Sequence, residues 1–234
     1  MNNATIRLKV EQRLNKLSSK DYDNIQPWQI IEAFNKGVSN WCRRNLHGTN
    51  LSKAGDESNK VRIDDLEPLL KEIPLVMYKK DLHYISGTLP ADYFEWKRIS
   101  ATAKKDCCEG VKKMMIYLAE EANVDILLRD ENKKPDYSWG ETFVTRAGGK
   151  IKVWTNNDFN IADARLVYYK QPRKIEIAGV SDPYTGTVSL ADVECEFKDD
   201  LVELFIDECV KIISGSISNI NVNQIADNAV EQNN

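Results

Sequence analysis

The sequence predicts an α+β protein in which N- and C-terminal helices form a helical bundle and a β-rich module is inserted in the middle. Three observations predict it. Apolar residues recur at helical spacing in the first 46 residues and again after residue 196. Between these stretches the texture changes to short apolar, aromatic-rich runs punctuated by turn residues. Helices, then strands, then helices is the order of segregated rather than alternating elements. The expected division is 1–72 with 195–234 for the helical domain, and 73–194 for the β-rich module.

Residues 5–17 place Ile6, Val10, Leu14 and Leu17 on one face of an amphipathic helix, with Arg and Lys between. "SSKDYDNIQ" interrupts the pattern. A stronger helix is predicted over 27–46. Pro27 suits a first turn, where no N–H is needed. Trp28, Ile31, Phe34, Val38, Trp41 and Cys42 share a face, the usual device for burying a helix. Arg43 and Arg44 close the last turn at the negative end of the helix dipole. Residues 47–60, "HGTNLSKAGDESNK", are polar and long for a loop within a compact domain, which points to a flexible or partner-contacting excursion. A short helix is expected over 64–71.

Strands are expected near 75–79 and 93–101, with turn signals at Ser86–Gly87 and Leu89–Pro90. "VKKMMIYLAE" reads as a strand or a helix onset. Residues 120–140 begin acidic and carry Val124, Leu127 and Leu128, a short helix and a loop bounded by Pro135. "GGKIKVW" alternates after a Gly-Gly turn, "TNNDFN" turns, and "ADARLVYYKQP" returns, a pattern that predicts a hairpin or meander. In "LVYYKQPRKIEIAG", Leu166, Val167 and Tyr169 finish a half-buried strand, with Tyr168 on the opposite face. Pro172 has no ladder N–H and ends or offsets the strand. Residues 173–177 alternate again, and 179–186 are loop. A helix over 197–214 starts with Asp199 and Asp200 at the positive end of its dipole. Leu201, Leu204, Phe205, Glu208 and Ile212 trace its apolar face. Residues 219–234 are Asn- and Gln-rich. They suit a short helix over 222–230, or a segment that orders only against a neighbour, since its weak hydrophobicity cannot offset its own ordering entropy.

The 234 residues suffice for one large domain or two small ones. A chain of that length buries roughly 70% of its unfolded surface. Hydrophobic residues make up 42% and charged residues 29%, the balance expected of a soluble globular protein. The net charge of −4 supplies no global field for gripping nucleic acid. No apolar run approaches the roughly 20 residues of a membrane helix, and "MNNATIRLKVEQ" lacks the apolar core of a signal peptide. Cytosolic synthesis is therefore expected. Five cysteines at irregular spacing, with Cys107 beside Cys108, predict free thiols.

Candidate chemistry is sparse. His47 sits in a polar loop and His83 alternates within an expected strand, neither with another ligand at metal spacing, so no metal is expected. "RAGGKIKVW" pairs glycines with lysine, but a phosphate loop needs a helix behind it, and a strand follows. Asp64–Asp65, Glu120–Glu121 and Asp199–Asp200 are adjacent carboxylates. Neighbours on a helix do not face each other across a substrate, so glycan hydrolysis is a weak third reading. The paired lysines and arginines are scattered among acids and suit solvated faces or ion pairs between subunits. No catalytic, metal-binding or cofactor-binding residue is assigned.

Four stretches in this order, "LPADYFEWKRIS", "LLRDENKKPDYSWGETFV", "GGKIKVWTNNDFNIADARLVYYKQPRKIEI" and "CEFKDDLVELFIDECVKIISGSI", resemble the head-to-tail adaptor and ring proteins of short-tailed bacteriophages. The broader relatives are the tail tubular protein A family, and the texture is most similar to ring proteins of crAss-like phages. The resemblance covers residues 28–217.

The resemblance implies a non-enzymatic virion protein of the tail or neck, assembled in the host cytoplasm. It implies a homo-oligomeric, twelve-fold ring beneath the portal protein that meets other tail ring or nozzle proteins. Double-stranded DNA would pass through the ring without sequence recognition, and no membrane or cofactor is implied. Head-to-tail contacts close only if the rotation closes, and no residue pattern fixes that angle. The alternative is an accessory docking module for tail fibres or other tail proteins. The contact residues expected on either reading are Asn50, Lys53 and Asp56 in the polar excursion, Tyr168 and Arg173 at the strand exit, and Asn221, Gln224 and Asn228 in the tail.

Overall fold

A computed structural model describes residues 1–15, 25–47, 64–79, 81–106 and 108–216. The chain divides into two compact units: Met1–Pro68 with Pro172–Asn234, and Leu69–Gln171. The fold is mixed α+β, and strands dominate it. Residues 172–194, expected in the β-rich module, group with the helices instead. The second unit closes where Pro172 cannot continue the ladder.

In the first unit, helix α1 (Asn3–Leu14) begins at Asn2, whose side chain accepts the Thr5 N–H. Ile6, Val10 and Leu14 are buried, as their spacing predicts. Helix α2 (Pro27–His47) buries Ile30, Ala33, Phe34, Val38, Trp41 and Cys42. Trp28 and Ile31, expected on that stripe, lie beside it and are half-buried. At 100° per residue they fall one side of the 30–34–38–41 line.

Past the short helical turn at residues 64–69, strand β1 (Leu70–Pro74) begins inside the expected 64–71 helix. Helix α4 (Asp199–Ser216) is the last among the described residues. It buries Leu201, Val202, Phe205, Ile206, Cys209 and Val210, a wider stripe than predicted, with Leu204 and Ile212 only half-buried. Helices α1 and α2 both pack on α4, so it has two faces to cover. Lys9 and Arg13 pair with Glu203, and Arg13 also with Asp207 at 2.5 Å. Cys42, Cys195 and Cys209 are free thiols. Burial pushes the Cys42 and Cys209 thiols up to about 12.

The second unit holds β1 with β2 (Met77–Lys79), β3 (Tyr84–Thr88), β4 (Tyr93–Lys104), β5 (Lys112–Leu118), β6 (Glu141–Ala147), β7 (Lys150–Trp154) and β8 (Asn160–Lys170). Their order is β1-β8-β4-β5-β6-β7-β3-β2. Every pairing is antiparallel except β5 with β6. A parallel pair needs a long crossover, and residues 119–140 supply it with helix α3 (Val124–Arg129). Leu127 and Leu128 of α3 cover Phe143 and Trp154 on one face of the sheet. On the other face, Ile99 and Ala101 of β4, Val144 of β6, Ile151 and Val153 of β7, and Leu166 and Tyr168 of β8 share one core. The two halves of the strand order thus fold over one another about β5.

The predicted hairpin of "GGKIKVW" with "ADARLVYYKQP" does not form. The Gly-Gly turn joins β6 to β7, with Gly148 and Gly149 at φ of 58° and 70°, the geometry of a type I′ turn. Strand β8 instead pairs with β1 and β4. Asn156 and Asn157, both at positive φ, turn the chain out of the first layer into the second. Alternation alone cannot choose a partner, since every strand of the module carries it. Ser86–Gly87, expected as a turn, lies within β3.

Gly87 is small for a packing reason. A Cβ there would sit 2.8 Å from Leu75 Cγ and 2.9 Å from Met77 Sδ. Gly87→Val is expected to destabilise the protein by about 1–3 kcal/mol through overpacking. The midpoint of urea unfolding checks it, and an unchanged midpoint would show that this contact yields freely.

Candidate functional site

The most distinctive surface of the first unit is built by residues 172–197. Glu176 pairs with Val193, and Ser181 with Val188, both antiparallel. Asp182 shapes the tip by accepting from the Tyr184 N–H at 2.8 Å and the Thr185 hydroxyl at 3.0 Å, an Asx-type turn. Gly186, at φ 69°, sends the chain back. The result is an arm of two irregular strands.

Two asparagines anchor the arm. Asn3 Nδ2 of α1 donates to the Glu176 and Val193 carbonyls at 2.7 and 3.0 Å, holding both strands at their base. Asn35, in the middle of α2, accepts the Ile175 N–H at 2.9 Å and donates to its carbonyl at 3.3 Å. One side chain thus replaces a neighbouring strand. Further out, the rings of Trp28 and Tyr184 meet edge to face at 6.4 Å.

A groove of about 950 Å³ lies between α2 and the arm. Trp28 and Ile31 give it apolar wall, Lys36 and Arg43 give cationic rim, and Glu32 and Asp182 give anionic rim. Such a lining can hold an extended chain segment by apolar contact and peripheral charge. Among the described residues no group of three or more His, Cys, Asp or Glu could hold a metal ion.

The arm also exposes apolar side chains. Leu190 is 96% exposed, Tyr184 77% and Val188 48%. In the second unit, Val76 and Tyr78 at strand β2 are 65% and 58% exposed. Met115 and Trp139 are exposed as well, and the Met115 N–H donates to the Gly140 carbonyl at 2.7 Å.

Of the residues the sequence singled out, Asn50, Lys53, Asp56, Asn221, Gln224 and Asn228 lie outside the described residues. Arg173 stands at the base of the arm with an exposed side chain, and its N–H donates to Glu196 Oε1 at 2.8 Å. Tyr168 is not a surface residue: it is 1% exposed in the core of the second unit. It shares a face with Leu166, opposite Val167 and Tyr169, because strand residues two apart face the same way. Its ring stacks on Tyr93 at 5.9 Å, and its hydroxyl donates to Asp92 Oδ1 at 2.7 Å.

Burial and the neighbouring carboxylate push the Tyr168 phenol up to about 12. Lys71, 2.6 Å away, and the Tyr168 hydroxyl hold the Asp92 carboxyl below its ordinary value. His83 Nδ1 lies 3.3 Å from Asn156 Oδ1, a structural contact beside a turn.

Sequence reading missed Asn3, Asn35 and the exposed residues of the arm. Asn35 carried a signal: asparagine is a poor interior helix residue, and one on a helix flank that also faces a loop has a use for its amide. Leu190 carried none, because exposure is not encoded in a single apolar residue. No protein-family model matches the chain, and no curated protein is significantly similar to it. No helix among the described residues is long and apolar enough to cross a membrane.

Proposed function

We propose that the chain is a virion structural protein, one subunit of an oligomeric ring that joins a phage portal to the tail and extends the channel for DNA ejection. It works by assembly rather than catalysis, and on this reading the terminal helices form a bundle around which the β-rich unit is inserted. The four ordered stretches that resemble ring proteins motivate the reading.

The observation that carries it is the apolar surface left to water on both units: Tyr184, Val188 and Leu190 on the arm, and Val76 and Tyr78 at β2. Clustered exposed apolar residues mark interaction surfaces. A subunit with separate surfaces on its two units can make head-to-tail contacts, the kind that closes into rings. The net charge of −4 suits a conduit that does not hold its DNA.

An accessory docking module for tail fibres is the second reading, and the groove between α2 and the arm favours it. Negative-stain images of the protein mixed with a short-tailed-phage portal separate the two. Closed rings stacked on the portal are expected. Single subunits scattered beside bare portals would overturn the ring reading and favour docking.

A further inference from the structure

Helices α2 and α4 run antiparallel. Trp41 meets Phe197, Phe34 meets Phe205, and the Cys209 thiol donates to the Ile30 carbonyl at 3.7 Å. Ser216 ends α4, so that helix finishes about 7 Å past the level of Trp28 on α2. The groove reaches the same end of α2 at Trp28 and follows the helix to Arg43, a run of about 22 Å. It lies on the flank of α2 roughly opposite α4, because Glu32 and Ser39 point away from Phe34 and Trp41 at 100° per residue.

Residues 217–234 continue from Ser216, outside the described residues. Their sequence carries one apolar stripe. Val222, Ile225, Ala226, Ala229 and Val230 recur at i, i+3, i+4, i+7 and i+8, and every residue between them is polar. A helix so short is marginal alone and takes its stability from packing. The link 217–221 spans up to about 20 Å when extended. Helix axes pack about 8–10 Å apart, so the link reaches over the first turn of α2 to its far flank. The other segments outside the described residues fit less well. Residues 16–24 hold Leu17 as their one aliphatic side chain, and 48–63 follow the opposite end of α2.

Charge agrees with this placement. Residues 217–234 carry Asp227 and Glu231 and no Lys or Arg. A helix that starts level with Trp28 brings Glu231 to within one residue of the level of Lys36. Lys36 and Arg43 line the groove, are exposed, and hold no ion pair among the described residues. Of the acids in the lining, Glu32 lies one turn before Lys36 and Glu176 sits at the base of the arm, while Asp182 is held at its tip by the Tyr184 N–H and the Thr185 hydroxyl.

We propose that residues 222–230 dock as a helix in the groove of their own chain. The apolar stripe lies against Trp28, Ile31 and Val188, with Glu231 beside Lys36. Leu190, 96% exposed, stands on the rim and stays open to a second copy. The contact is made within one chain and does not rest on the ring reading.

Hydrogen exchange of the whole chain over a dilution series tests it. Amides of 222–230 are expected to exchange at least about tenfold more slowly than in Ile225→Asp, at every concentration. Ile31→Asp in the groove wall is expected to release the same amides. If that variant loses the far-UV circular dichroism of the parent, Lys36→Glu replaces it, with exchange faster by about two- to fivefold and restored by Glu231→Lys. Deleting Ser218 and Asn219 shortens the link and is expected to release the segment as well.

Amides that exchange as fast in the parent as in Ile225→Asp would overturn the docked helix. Protection that no groove variant changes would overturn it too, since the segment would be seated elsewhere. Protection that rises with concentration, or survives the deletion, would give the groove to the same segment of a second copy. Protection that appears only when portal is added would give the segment to the portal. None of these outcomes decides whether the subunits form a ring.

Discussion

Phe205→Ala is expected to cost the first unit about 3–5 kcal/mol, the range for truncating a fully buried aromatic. Phe205 is 0% exposed, at the middle of α4. Its ring lies 5.2 Å from Phe197, 5.4 Å from Trp41 and 6.0 Å from Phe34, all edge to face. Each such pair adds about 0.5–1.5 kcal/mol beyond buried area. The neighbours come from α2 and from the residues just before α4, so the cavity is walled by packed elements that cannot collapse independently. Denaturant unfolding followed by tryptophan fluorescence reads the loss, since Trp41 borders the cavity. Phe205→Leu is expected to recover more than half of it. A loss below about 1 kcal/mol for the alanine variant would show that this cluster does not hold α2 and α4 together.

Tyr168→Ala is expected to cost about as much in the second unit, again about 3–5 kcal/mol. Tyr168 is the largest of the fully buried side chains, and it joins β8 to the core shared with β4, β6 and β7. Tyr168→Phe separates the ring from its hydroxyl and is expected to cost about 0.5–1.5 kcal/mol, the worth of one hydrogen bond.

The Tyr168 hydroxyl also gives the parent a response to pH that Tyr168→Phe lacks. The folded phenol titrates at about 12 against an unfolded value of 10.0. A raised folded value favours the protonated group, so its stabilisation is complete below pH 10 and is lost as pH rises toward about 12. Asp92 behaves oppositely. Its folded carboxyl sits below the ordinary value, so its contribution is present above the unfolded value and is lost as pH falls through the folded one. Tyr168→Phe is therefore expected to flatten the alkaline limb of the stability curve. An alkaline limb identical to that of the parent would show that the Tyr168–Asp92 pair does not titrate with unfolding.

The helices were legible because their signals are local. Ile6, Val10 and Leu14, and Phe34, Val38, Trp41 and Cys42, carry the 3.6-residue period that burial of one face demands. The strands themselves were partly legible, and their partners were not. Strand β8 alternates as a hairpin partner of β7 would, yet it pairs with β1 and β4, choices settled by core packing far along the chain. Tyr168 was placed on the wrong face because residues 166–169 are all apolar or aromatic and buried on both sides. A strand buried on both faces loses the alternation that assigns them. The sequence of the arm shows only alternation over 173–177 followed by loop residues. Its form depends on amides of Asn3 and Asn35 that lie more than a hundred residues away in sequence.

The central claim is that this chain assembles into a closed ring. The most direct measurement is mass by multi-angle light scattering across a hundredfold range of concentration, with images of the heaviest fraction. A closed ring gives a single large species whose mass is a whole multiple of 26.7 kDa and whose images are annular. A mass of one subunit at every concentration, alone and with portal, would contradict it.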